Sequence, residues 1–131
     1  MELQAKNISP AKKFSQEHKA CPAFLALGLI ANKWSVKILY TLAHSGDKPM
    51  RFSEIRKALD TITQRELSKQ LREFEMAGLV ERKAYPEVPP RVEYKLTQLG
   101  LSLKTPVDSL SDWSQQYGAE VIKNRQDYEV R

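Results

Sequence analysis

The chain has a single cysteine, Cys21, and only two histidines, His18 and His44. One cysteine cannot close an internal disulfide, so packing must hold the fold, and the usage fits a reducing compartment. No two metal-binding side chains fall at zinc-site spacing, and no glycine-rich phosphate loop is present. These absences leave metal-assisted and nucleotide-dependent catalysis without their usual residues, and neither cofactor, metal nor enzymatic activity is expected. No stretch approaches the roughly 18 apolar residues needed to span a bilayer. Residues 1–20 scatter Lys12, Lys13 and Lys19 among polar positions and lack the apolar core of a signal peptide. They read as a flexible arm, and the expected location is the cytoplasm. His18 falls in that arm. His44 stands at a helix end before Gly46, where it favours the helix dipole. Asp108 and Asp112, four apart on one helix face, read as surface charge rather than as a catalytic pair.

What the chain does have is ordinary in amount and uneven in placement. At 131 residues, 41% hydrophobic and 28% charged, it fits one domain with a modest core. The net charge is +5. Residues 48–72 carry seven Lys/Arg against three Asp/Glu, whereas residues 96–131 carry four against five. Positive charge is thus concentrated in one short region, which steers a protein toward a polyanion. Taken alone, the same excess also serves solubility.

That region leads into the most informative stretch, Ile62 to Leu96. With about 100° per residue, Leu67, Leu71 and Phe74 share one narrow stripe of a helix. Arg65, Ser68, Lys69 and Arg72 fall on the opposite side, with Glu66 and Glu73 on a flank. Thr61 or Thr63 serves as N-cap, and Gly78 ends the helix. Val80–Tyr85 and Val92–Leu96 then read as strands. Between them Pro86, Pro89 and Pro90 stiffen a loop flanked by Lys83 and Arg91. Upstream, Ser53 is read as the N-cap of a short helix with Ile55 and Leu59 inward, and Asp60–Ile62 as the turn into the basic helix. This is helix-turn-helix geometry, with the second helix as reader and Arg51 and Ser53 beside the DNA backbone.

Two further apolar segments flank this unit. Phe24, Leu25, Leu27, Leu29 and Ile30 make a strongly apolar first helix, and Trp34, Ile38 and Leu42, with Val36 and Leu39, a second. Leu103, Val107, Leu110, Trp113, Tyr117 and Val121 repeat at helical spacing near the far end, where Pro106 starts or kinks the helix. A small core cannot cover both terminal helices, so they are expected to pair across a two-fold axis. Such pairing would set two readers about 34–36 Å apart on a near-palindromic site.

Several ordered strings together carry a family resemblance. They are Cys21-Pro22, Asn32-Lys33-Trp34, Arg51-Phe52-Ser53-Glu54-Ile55, Gln70-Leu71-Arg72-Glu73-Phe74-Glu75, Gly78-Leu79-Val80, Pro89-Pro90-Arg91-Val92-Glu93-Tyr94, Leu96-Thr97-Gln98-Leu99-Gly100 and Trp113. Over residues 21–118 the chain resembles the HxlR-type winged-helix regulators of bacteria, relatives of the MarR group. It departs from the family pattern at Ala31-Asn32, where Gly-Gly is usual before Lys-Trp, and at Ile62-Thr63, where Ile-Ser is frequent. The resemblance implies a transcriptional regulator. It also implies that Cys21, just before the proline, can sense oxidants or electrophiles, by forming a thiol adduct or by linking to Cys21 of a second subunit. Lys19 and the helix start at Pro22 would favour its thiolate. The plainer reading of Cys21 is a small buried apolar residue.

The expectation is therefore a mainly α fold with a small β-wing, a winged helix-turn-helix that dimerises through its N- and C-terminal helices. Residues 1–20 form the arm, 21–118 the DNA-binding domain and 119–131 a C-terminal helix extension. The partners are double-stranded DNA, a second copy and a small-molecule or oxidant effector, with no membrane, and the sign of regulation is repression. Thr63, Gln64, Arg65, Ser68 and Lys69 face the major groove, with Arg65 or Gln64 reading bases. Arg72, Arg51 and Ser53 hold phosphates, and Arg91 with the 86–90 loop reaches the minor groove or backbone. Two rivals remain on sequence grounds: a winged-helix module whose basic face meets an acidic protein, and a small thiol-dependent enzyme built on Cys21.

Overall fold

The computed structural model describes residues 21–130, so the arm, His18 and Lys19 lie outside the described residues. The chain begins with α1 (Ala23–Ile30) and α2 (Lys33–Ser45). Asn32 separates them. Its backbone is extended, and its side-chain oxygen accepts from the N–H groups of Trp34 at 3.0 Å and Ser35 at 2.8 Å. The departure at this position therefore supplies a side-chain cap that glycine lacks. Gly46, at φ +64°, closes α2 with its N–H on the Ala43 carbonyl.

A two-residue strand, β1 (Met50–Arg51), leads straight into α3 (Phe52–Leu59). Here the sequence reading needs correction, because Arg51 and not Ser53 occupies the N-cap position. Ser53 stands in the first turn. The Arg51 N–H is satisfied by the Glu54 carboxylate at 2.9 Å, so no capping hydroxyl is needed. Asp60, at φ +57°, turns the chain into α4 (Gln64–Met76). Of the two candidate caps Thr63 serves, its hydroxyl accepting from the Glu66 N–H at 3.0 Å.

Gly78, at φ +76°, follows α4 and delivers the chain to β2 (Val80–Tyr85). β3 (Arg91–Leu96) returns antiparallel to it, and β1 pairs on the other side of β3, giving the order β1-β3-β2. The sequence pattern had shown two strands. β1 is too short for alternation to reveal it, and it exists through pairing of Met50 with Tyr94 and Arg51 with Glu93. Next come α5 (Gln98–Ser102), capped by Thr97, and the long α6 (Lys104–Val130). A Cβ on Gly100 would collide with the Leu79 carbonyl, which fixes glycine where α5 crosses the start of β2.

The core forms where α2, α3, α4 and the sheet meet: Ile38, Leu39 and Leu42, Ile55 and Ile62, Leu67, Leu71 and Phe74, then Leu79, Val80, Tyr94, Leu96 and Val107. From α6 only Val107 enters it. Pro106 lies within the first turn of α6, which runs unbroken past position 118. Leu110, Trp113 and Tyr117 remain exposed, as do Phe24, Leu25 and Leu27 on α1. Asp108 ties α6 to α2, accepting from the Tyr40 hydroxyl at 2.7 Å and from Lys104 at 2.8 Å. The bonds from Lys104 and Tyr40 hold the Asp108 carboxyl below its ordinary range, while the same carboxylate raises Tyr40. The depressed acid means that this contribution is present above the ordinary carboxylate pKa and is lost as pH falls through the lowered one. No single helix among the described residues is long and apolar enough to cross a membrane.

Candidate nucleic-acid interface

The inner side of α4 determines its outer side. Leu67, Leu71 and Phe74 are almost wholly buried, so the helix cannot rotate about its axis without exposing them. Arg65, Ser68, Lys69 and Arg72 are consequently turned to solvent, together with Thr63 and Gln64 at the N-terminus. Among the described residues, Arg65, Lys69 and Arg72 enter no ion pair. Their charge faces outward uncompensated. Glu66 is drawn aside, since its carboxylate accepts the Thr63 hydroxyl hydrogen at 3.0 Å. Thr63 is thereby engaged on both sides of a reciprocal cap, although its side chain remains exposed.

Two shallow recesses connect this helix to its neighbours. In one, Gln64 at the start of α4 faces Ser53, Arg56 and Lys57 of α3. In the other, Arg51 and Ser53 face the wing loop and Arg91. Ser53 thus stands between α4 and the β2–β3 loop, and the structure brings Arg51, Ser53, Gln64 and Arg91 along one surface. Arg56 and Lys57 are exposed basic residues of the same surface that sequence reasoning left unassigned. Their position in the last turn of α3, beside the turn into α4, is the signal that could have found them.

Arg91 differs from the other cations. It is half-buried, its guanidinium lies 3.9 Å from the Tyr85 ring centroid, and it pairs with Glu87 at 3.2 Å and Glu93 at 3.8 Å. Its Nε is enclosed and makes no hydrogen bond among the described residues. The arginine at the wing base is therefore held by its own hairpin, and the wing tip beyond it presents a fully exposed Val88.

One polar contact beneath the reader helix was not anticipated. Gln70, only 7% exposed, lies on the buried side of α4 and accepts a hydrogen bond from the Asn32 amide at 3.0 Å. The residue that caps α2 therefore also locks the middle of α4. Asn32→Ala is expected to cost about 1 kcal/mol for the lost cap and a further 1–3 kcal/mol or so for the stranded buried amide. Urea unfolding of Asn32→Ala and of the double variant Asn32→Ala/Gln70→Leu measures this, with the double variant recovering part of the loss.

The remaining chemical candidates are placed elsewhere. Cys21 is a free, half-exposed thiol just before α1, and its carbonyl accepts from the Phe24 N–H at 3.1 Å. His44 is exposed in the last turn of α2. Asp108 is committed to the tie described above. Among the described residues no three His, Cys, Asp or Glu side chains are grouped to hold a metal ion.

Comparison with known proteins agrees with this geometry. The HxlR-like helix-turn-helix family model matches residues 29–122. An HTH-type transcriptional regulator of Methanothermobacter thermautotrophicus is 46% identical over 99 residues, covering 76% of this chain and 73% of that protein. A solved MarR-family regulator from Porphyromonas gingivalis W83 superposes with a TM-score of 0.64 at 32% identity, covering 77% of this chain and 92% of its own. The redox regulator HypR in its reduced form superposes with a TM-score of 0.65 at 38% identity, covering 79% and 98%.

Proposed function

The chain belongs to the HxlR-like helix-turn-helix family of transcriptional regulators, and from that premise we propose that it is a homodimeric repressor that binds a near-palindromic duplex operator. The observation that carries this reading is the cationic face of α4, without ion pairs among the described residues and fixed outward by the buried stripe behind it. Thr63, Gln64, Arg65, Ser68 and Lys69 enter the major groove. Arg65 and Gln64 read purine edges, since both can bond bidentately. Arg72, Arg51 and Ser53 hold phosphates, and Arg91 with the 86–90 loop reaches the adjacent minor groove or backbone. Residues 21–118 form the DNA-binding domain, and 119–131 extend the helix that joins two copies. The exposed apolar side chains of α1 and α6 supply the dimer contact, with Phe24 at 66% and Trp113 at 54% exposure in the single chain. The protein acts in the cytoplasm.

Selection of bound duplexes from a random pool tests this reading. The expected product is a pair of inverted half-sites centred about one helical turn apart. Failure to enrich any duplex would overturn the proposal. On the selected operator, Arg65→Ala should cost about 1–3 kcal/mol and relax one base position. Arg72→Ala should weaken all duplexes alike and lower the salt slope by about 1.

The Glu87 contact makes a separate prediction for the wing. In Glu87→Gln the nearer of the two carboxylates on Arg91 is removed, which leaves Glu93 at 3.8 Å and loosens the guanidinium for phosphate. Operator binding should then tighten, and its dependence on log salt concentration should steepen by roughly 0.9. An unchanged slope in a filter-binding titration removes Arg91 from the interface.

Regulation by oxidant is assigned to Cys21. Cys21 is half-exposed and stands just before α1, the helix proposed to meet the second copy. Two thiols lose two protons and two electrons to an oxidant such as diamide and form one disulfide between subunits, or each forms an adduct with a small thiol. Diamide is expected to release wild-type protein from the operator and to leave Cys21→Ser bound. Equal release of both proteins, read by fluorescence anisotropy, would exclude this cysteine.

A further inference from the structure

The loop that joins β2 to β3 carries no cation. It runs through residues 86–90, between the paired residues Tyr85 and Arg91, and three of its five positions are proline. Its one charged side chain, Glu87, faces back onto Arg91 at 3.2 Å. Its one valine, Val88, is wholly exposed. Proline fixes φ at positions 86, 89 and 90, and the Glu87 N–H bonds to the Tyr85 carbonyl at 2.8 Å, so the loop is stiff where it projects. Arg91 below it is held by the Tyr85 ring and two acids. A tip of this composition gains nothing from a phosphate, since its only charge has the wrong sign and the nearest cation on its own hairpin is engaged. What it offers is rigid apolar surface. The part of a duplex that rewards such surface is a base step in the minor groove, where an inserted apolar side chain partly unstacks the step and kinks the helix. Arg51, which shares a recess with this loop, stands ready to hold the backbone beside it.

We propose that Val88 is an apolar wedge that opens one base step beside each half-site and bends the operator, an inference that rests on the regulator reading above. Pro86, Pro89 and Pro90 hold the loop before it meets DNA, so little ordering entropy is lost on insertion. Unstacking is least costly at pyrimidine–purine steps. The tip therefore selects sequence through the deformability of the duplex, at a position where no hydrogen bond reads a base. Its contribution is apolar and independent of salt, in contrast to that of the cationic face of α4.

The test uses the full chain and the selected operator, end-labelled for energy transfer, with TA, AA or GG placed in turn at each step outside the half-sites. Wild-type protein should bend the duplex by at least about 20°. At one step on each side it should prefer TA over AA and GG by about tenfold. Val88→Ser changes a side chain that is wholly exposed, so the fold does not depend on it. It should straighten the operator, lose the preference at that step and bind the TA duplex about tenfold more weakly with an unchanged salt slope, because no ion contact is removed. Val88→Met keeps an apolar wedge and should keep both the bend and the preference. A Val88→Ser protein that bends and discriminates like wild type overturns the wedge, and this is also the outcome if the tip meets a protein instead of DNA. A loss of affinity that is equal at every step, or that comes with a lower salt slope, overturns it too. A wild-type chain that binds no duplex overturns the regulator reading and the wedge with it, whereas one that binds a straight operator overturns the wedge alone.

Discussion

The structure depends on the burial of one helical stripe. Leu67, Leu71 and Phe74 close against Ile38, Leu39 and Leu42 of α2, Ile55 of α3 and the sheet residues Tyr94 and Leu96. Removing side chains of this size from water is worth about 1.5–3 kcal/mol each, against which a surface lysine or arginine contributes almost nothing to folding. The arrangement separates two tasks in thirteen residues of α4. The inner positions set rotation and depth, and the outer positions are free to carry charge for a partner. Among the described residues, Arg65, Lys69 and Arg72 stand without ion partners.

Polar groups refine what the apolar stripe sets. A stripe of three aliphatic and aromatic side chains tolerates small axial slides, because hydrophobic contact is non-directional. The Asn32–Gln70 bond does not. It joins the first turn of α2 to the centre of α4 in a place where an unmatched amide is costly. Thr97 plays a comparable part on the other side. Its N–H reaches the Leu79 carbonyl at 3.0 Å and its hydroxyl the Gly78 carbonyl at 2.6 Å, so the stop of α4 is fastened to the exit of β3. Helix-turn-helix and wing are thereby held together by bonds at the centre of α4 and just past its C-terminal end.

Much of this was legible in the residues. The 3.6-residue period of Leu67, Leu71 and Phe74 identified the reader helix and its outer face. Gly78 marked its end, its start was narrowed to Thr61 or Thr63, and the alternation through Tyr94 and Leu96 identified β3. What was not legible depended on distant pairing. β1 is two residues long and exists only against β3. The cap of α3 was misassigned because serine is the usual cap, whereas Glu54 satisfies the backbone of Arg51 in its place. The burial of Gln70 leaves no trace in the sequence, since nothing in its neighbours along the chain reveals an asparagine 38 positions earlier. The sequence reading takes Arg91 to the minor groove or backbone, and the acids that hold it become visible only with the hairpin folded.

α6 has a mechanical consequence. At 1.5 Å per residue, its 27 residues span roughly 40 Å. It enters the core only through Val107, beside the Tyr40–Asp108–Lys104 contact near its beginning. A helix gripped close to one end is a lever with its fulcrum at the grip. A tilt of about 10° there carries the far end through about 6 Å, so ångström-scale motion around Asp108 is magnified several-fold by the time it arrives at Val130.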